Sequence, residues 1–309
     1  MEYLSHPSTD GKTALSAYCI TPSAPPRAMV QIAHGMCEYF ERYVPFAEYL
    51  ATLGFLVFGH DHLGHGRTAR SPKDRGFTAE GGGANYLVED VHELSLAMKK
   101  KYPDLPLVIF GHSMGSFIVR EVTARYGEDY TAAIYCGTGG PETPAGLGML
   151  LAKFLMIVQG ERHRSPLLKR ISFMGYNKRF GKGCDANAWL TRDEAVLARY
   201  RSDALCSFVF TLRGYHDLFT LVREVSKKEW AARLPQSLPI LVVSGEEDPV
   251  GGYGKGVRAV GERLQKAGLG DLSVVLYPEM RHEILNELDK ETVWKELAQW
   301  IEKKLPSQI

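Results

Sequence analysis

"VIFGHSMGSFIV" spans residues 108–119. It begins as a continuous apolar strand, passes through Gly111-His112-Ser113-Met114-Gly115, and continues with the apolar spacing of a helix. A G-x-S-x-G run between strand and helix is the setting of a nucleophile elbow. The turn is too tight for flanking side chains, which accounts for Gly111 and Gly115. Ser113 then stands exposed at the carboxyl end of the strand. The Met114 backbone N–H, at the helix start, faces the place where an oxyanion would develop. His112 is expected to point away across the turn and to serve in packing.

Working outward, short β-rich runs alternate with helical patterns. Residues 28–35, 55–61, 106–113, 132–139, 239–248 and 272–279 read as strands. Their unbroken apolar character suits strands buried on both faces of a parallel sheet. Helical spacing lies between most of them, at Tyr43–Leu53, Asn85–Tyr102, Met114–Tyr126, Tyr253–Ala267 and Lys290–Leu305. Such alternation predicts an α/β fold, a mostly parallel central sheet flanked by helices. Residues 13–22 alternate polar and apolar and are expected to start an antiparallel hairpin at one edge. From Pro141 to about Ala232 the pattern is mainly helical. The expected organisation is a core of residues 1–140 and 233–309, with a helical lid, 141–232, inserted between two strands.

A serine hydroxyl needs a base, and the base needs a carboxylate to orient it. With an elbow of this kind they follow in the order Ser, Asp or Glu, His. Glu246, Glu247 and Asp248 end the strand "ILVVSGEED", and Asp248 lies furthest into the next turn. His282 follows the strand "LSVVLYPE". Both positions are carboxyl ends of strands, where open α/β sheets place their sites. The candidate catalytic residues are therefore Ser113, Asp248 and His282, with Glu246 and Glu247 read as solvated or structural. The His-Gly turn of "AHGMCEYFERY" (33–43) offers Met36 N–H as the second oxyanion donor. Cys37 is read as a quiet thiol.

The bulk numbers exclude several classes. With 24% charged residues and net charge +1, nothing points to nucleic acid. The longest apolar run, Leu147 to Val158, is interrupted by Lys153 and is too short to span a bilayer. Five cysteines without C-x-x-C spacing argue against disulfides and a thiolate zinc site, and no signal peptide is read. A cytoplasmic setting is expected. "HDHLGH" (60–65) evokes the H-x-H-x-D-H zinc motif of metallo-β-lactamase-type hydrolases, but Gly64 stands where that motif has Asp. Asp61 and His65 are read instead as braces of a loop near the rim of the site. No metal and no cofactor are expected.

The set "HGMCEYFERY", "DHLGHGRT", "GHSMGS", "SGEEDPV" and "RHEILNE", in this order, resembles the monoacylglycerol lipase and lysophospholipase branch of the α/β-hydrolase superfamily, which is related to serine aminopeptidases. The resemblance covers roughly 1–140 and 233–309. It implies an α/β-hydrolase fold, Ser113 as nucleophile with Asp248 and His282 as partners, and Met36 and Met114 as oxyanion donors. It also implies a serine hydrolase of carboxylic esters with a hydrophobic acyl chain, monoacylglycerol or lysophospholipid. Alternatives are an aminopeptidase of the same fold, which would need lid carboxylates such as Glu142, Glu161 or Asp185 for the free amine, a short-chain carboxylesterase, and a non-catalytic binding module. Residues 141–232 hold 15 Lys and Arg against 9 Asp and Glu. The partner expected is a small lipid or ester substrate, with a membrane surface against the lid as a second, transient contact.

Overall fold

The computed structural model describes residues 1–141 and 145–306. Its strands are β1 (Glu2–Pro7), β2 (Ala14–Ile20), β3 (Ala28–Ala33), β4 (Phe55–His60), β5 (Leu107–His112), β6 (Ala132–Cys136), β7 (Ile240–Gly245) and β8 (Leu272–Tyr277). They form one sheet in the order β1-β2-β4-β3-β5-β6-β7-β8. The pairs from β4 to β8 are parallel, whereas β1 with β2 and β2 with β4 are antiparallel. The helices are α1 (Val44–Thr52), α2 (Gly83–Lys101), α3 (Met114–Tyr126), α4 (Ala145–Gln159), α5 (Pro166–Ser172), α6 (Glu194–Ser202), α7 (Leu212–Ser226), α8 (Lys255–Lys266) and α9 (Lys290–Lys304).

Successive strand residues face opposite sides, and both sides are apolar. Met29, Leu56, Ile109, Tyr135 and Val242 join one core with Val91 of α2, Val122 of α3 and Val260 of α8. Val30, Val57, Phe110, Ile134 and Val243 join the other with Leu50 of α1 and Leu297 of α9. This two-sided burial is why the inner strands read as unbroken apolar runs.

The 13–22 segment does not begin the edge hairpin but closes it, since β2 pairs back onto β1. Glu2–Pro7 is an exposed, mostly polar edge strand, so it carries no apolar run.

Helices α4 to α7 lie between β6 and β7, with no strand among the described residues of that interval. Its two ends are held by a buried arginine on α3. Arg120 donates to Gly139 O at 3.1 Å and Thr138 Oγ1 at 3.2 Å on one side, and to Val225 O at 2.8 Å on the other. Its guanidinium lies 4.1 Å from the ring centre of Trp230. Burial lowers the Arg120 pKa to about 9. Glu142, one of the carboxylates considered for an aminopeptidase, lies outside the described residues.

Candidate active site

Ser113 connects β5 to α3 with φ 53° and ψ −118°. This backbone is one that residues with a Cβ rarely adopt, and the close packing on either side holds it there. A Cβ on Gly111 would lie 2.3 Å from Gly115 O, and one on Gly115 would lie 2.1 Å from Ala33 O. Only glycine fits at either position. Ser113 N donates to Cys136 O at 2.9 Å, which ties the elbow to β6.

Asp248 and His282 come together from the ends of β7 and β8. His282 Nδ1 lies 2.9 Å from Asp248 Oδ2, and both residues are buried. Asp248 also accepts from Ser244 Oγ and from Val250 N, each at 2.8 Å. Burial would raise the Asp248 pKa, but the charge and hydrogen bond of His282, with the two further donors, hold it below the usual carboxylate value. The carboxylate is thus charged and fixed, able to orient the ring and stabilise an imidazolium. Glu246 and Glu247 do not join this pair; they face Arg258 and Arg179.

His282 is placed beside the elbow by what surrounds it. Its ring centre lies 4.7 Å from that of His112 and 5.0 Å from that of Trp189. No hydrogen bond joins Ser113 Oγ to His282 Nε2 among the described residues; such bonds are often long in unliganded enzymes and tighten in the reacting complex. The segment between β6 and β7 reaches this loop directly, as Trp189 O accepts from His282 N at 3.3 Å and Leu190 O from Glu283 N at 2.7 Å.

The His-Gly loop after β3 closes the other side. A Cβ on Gly35 would lie 3.0 Å from Ser113 Cβ, so the loop runs against the serine. Neither Met36 N–H nor Met114 N–H has a partner among the described residues. Cys37 is buried and its Sγ faces Phe208 O at 3.4 Å; burial drives its thiol pKa up, which makes it inert.

His112 departs from its expected packing role. Its Nδ1 lies 3.0 Å from Glu38 Oε1 and its Nε2 lies 3.3 Å from His282 O. Glu38 also accepts from Gly35 N at 2.5 Å, Tyr43 Oη at 2.7 Å and Arg42 at 2.8 Å. Arg42 grips Glu283 with two bonds of 2.8 and 2.6 Å. The i, i+4 pair Glu38 and Arg42 was visible in "HGMCEYFERY", yet its partners come from two distant segments.

Asp61 does brace its loop, accepting from Tyr18 Oη at 2.6 Å, Phe40 N at 2.9 Å and Arg67 N at 2.8 Å. It and His65 are fully buried. The rings of His34, His60, His62 and His65 pack on one another, with His34 and His62 4.2 Å apart and His60 and His62 4.9 Å apart. No group of three or more His, Cys, Asp or Glu among the described residues is arranged to hold a metal ion.

A mostly parallel sheet, a serine elbow at the end of β5 and an Asp–His pair at the ends of β7 and β8 define a hydrolase of the α/β-hydrolase fold. A thermostable carboxyl esterase from Bacillus coagulans, solved with glycerol, superposes with a TM-score of 0.90 at 32% identity, over 98% of each chain. The chain is 29% identical to a monoacylglycerol lipase of Mycolicibacterium smegmatis, over 91% of this chain and 90% of that one. It is 26% identical to the monoglyceride lipase of Homo sapiens, over 96% and 89%. Residues 24–289 match the family described as serine aminopeptidase, S33. The chain belongs to this family, in the branch similar to monoacylglycerol lipases, and is a carboxylic ester hydrolase. No helix among the described residues is long and apolar enough to cross a membrane.

Proposed function

We propose that the enzyme hydrolyses single-chain carboxylic esters, monoacylglycerol or lysophospholipid, through an acyl-enzyme on Ser113. The observation that carries this reading is the buried Asp248–His282 pair, 2.9 Å apart, beside a serine held on a strained elbow. His282 takes the proton of Ser113 Oγ as the oxygen attacks the ester carbonyl. Asp248 holds the ring and offsets the positive charge formed on it. The N–H groups of Met36 and Met114 receive the oxyanion. His282 returns the proton to the leaving alcohol, and water, activated by the same base, releases the acid.

Residues 141–232 act in this reading as a cap. Trp189 stands against His282, and helix α4 packs on the core through the half-buried Leu151 and Leu155. Its outer face carries Leu147, Leu150, Phe154, Ile157 and Val158, all exposed, at helical spacing. Exposed cations Lys153, Lys169, Arg170, Lys178 and Lys182 lie along the same segment. That combination suits an anionic lipid surface, from which a single-chain substrate is drawn.

The family description raises aminopeptidase activity as a second reading. The described carboxylates considered for a free amine are already engaged: Glu161 with Arg213, and Asp185 with Arg201. The relatives named as lipases and an esterase also favour the ester. The test is kcat/KM for esters from about C2 to C16, for monoacylglycerol, lysophospholipid and triacylglycerol, and for aminoacyl-anilides. Each buried CH₂ contributes roughly 0.8 kcal/mol, so kcat/KM should rise with chain length until the channel is filled, and single-chain esters should exceed triacylglycerol. Faster cleavage of aminoacyl-anilides than of any ester would contradict the reading.

A further inference from the structure

Four ionisable side chains meet behind the elbow: Glu38, Arg42, His112 and Glu283. Together they touch three parts of the site. Glu38 holds Gly35 N–H, in the loop that carries Met36. His112 adjoins Ser113 and reaches the carbonyl of His282. Arg42 fixes Glu283, the residue after His282, with a bidentate bond. The nucleophile, the oxyanion loop and the base loop are therefore joined through one carboxylate.

The geometry also specifies a charge. Both ring nitrogens of His112 face acceptors, Glu38 Oε1 and the His282 carbonyl. Glu38 Oε1 already accepts from Gly35 N and Tyr43 Oη and so carries no proton, and a carbonyl has none to give; both nitrogens must donate, which only the imidazolium does. Two carboxylates, one guanidinium and one imidazolium make a neutral group; a neutral His112 would leave a net negative charge buried.

We propose that Glu38 and His112 are positioning residues, a charged His112 held by Glu38 fixing the His282 backbone while the same carboxylate fixes the oxyanion loop. The inference rests on the reading of Ser113 and His282 given above.

The electrostatics agree. Burial pushes the His112 pKa down, but its bond and attraction to Glu38, with the pull of Glu283, outweigh burial and raise it. Burial pushes Glu38 up, and His112 and Arg42 outweigh that, leaving it ionised. The groups facing His112 are Glu38, Arg42 and Tyr43 from the loop after β3, with His34 behind Glu38. From β6 comes Cys136, from the loop after β7 Asp248, and from the loop after β8 His282 and Glu283. As pH rises through the raised His112 value, the ring loses a proton and one of its two bonds, and alignment fails.

The experiment uses the whole enzyme and a p-nitrophenyl ester. Glu38→Gln keeps the shape but removes the charge. It should lower kcat on the order of 10²-fold, the effect of a small misalignment, with KM changed by less than about threefold. Without Glu38 the His112 pKa falls, so the alkaline limb of kcat should move to lower pH. In the wild type, ¹⁵N-imidazole NMR at pH 7, assigned by the signals missing in His112→Gln, should show both His112 nitrogens protonated. A wild-type His112 with one protonated nitrogen, or a Glu38→Gln enzyme with an unmoved alkaline limb, overturns the inference while leaving Ser113 as nucleophile. Absence of fluorophosphonate labelling at Ser113 in the wild type overturns the reading beneath it as well.

Discussion

Ser113 occupies a strained backbone conformation held by the close packing of β5 against α3. If Ser113, His282 and Asp248 act as a unit, removing any one removes most of what the three achieve together. Ser113→Ala should lower esterase kcat by a factor on the order of 10⁶, His282→Ala by about as much and Asp248→Ala by somewhat less. Steady-state assays with purified variants check this; a Ser113→Ala enzyme within tenfold of wild type would contradict it. The elbow and the pairing of Asp248 with His282 were legible in the sequence because each follows a recognisable strand, in the chain order such an elbow leads one to expect. His112 was not legible in the same way. A histidine beside a nucleophile reads as packing until Glu38 and the His282 carbonyl, 74 and 170 positions away, are brought to its two nitrogens. Glu283 likewise reads as one acid among several until Arg42 meets it, because ion pairs across distant segments leave no local pattern.

Among elements, α3 has the bounds expected of it, Met114–Tyr126, and the elbow marks its start. β1 escaped because an exposed edge strand has no need of apolar residues. α4 was the ambiguous element. Its apolar run could line a channel, pack on the core or face a membrane, and hydropathy alone cannot choose. The structure divides its surface: Ala145 and Ala152 are buried, Leu151 and Leu155 half-buried, and five large apolar side chains lie outside. Such a face and the nearby lysines should bind vesicles rich in anionic lipid and bind neutral vesicles weakly. Salt should weaken the anionic preference, as exposed charges are screened beyond about 8 Å at physiological ionic strength. Phe154→Ser with Ile157→Ser should reduce vesicle co-sedimentation at least severalfold and leave turnover of a soluble short-chain ester unchanged. Equal binding of the double variant and the wild type would show that α4 is not the contact.

At the scale of the whole molecule, the two-sided core and the parallel sheet were readable from alternating runs of strand and helix. The acid response of the fold was not, because it depends on four histidines packed together. Burial lowers the pKa of His34 and His62 well below the ordinary value, and that of His60 to about 3 and His65 to about 4. Unfolded histidine titrates near 6.5. The unfolded chain therefore binds more protons below that pH, and each such histidine removes up to about 1.4 kcal/mol of stability per pH unit as pH falls from about 6.5. Asp90, raised to about 6 by burial against its hydrogen bonds from Thr9 and Ser8, works in the opposite sense but supplies one proton against four. The urea midpoint should thus fall steeply between pH 6.5 and 4.5; a flat profile there would contradict the buried neutral cluster. The acyl-enzyme bond can be trapped by mixing enzyme with a p-nitrophenyl ester, quenching in acid within the burst phase, and mapping the added mass by peptide mass spectrometry. The added mass should be one acyl group on the peptide containing Ser113, absent from Ser113→Ala. An acyl group on any other residue, or burst kinetics that persist in Ser113→Ala, would contradict it.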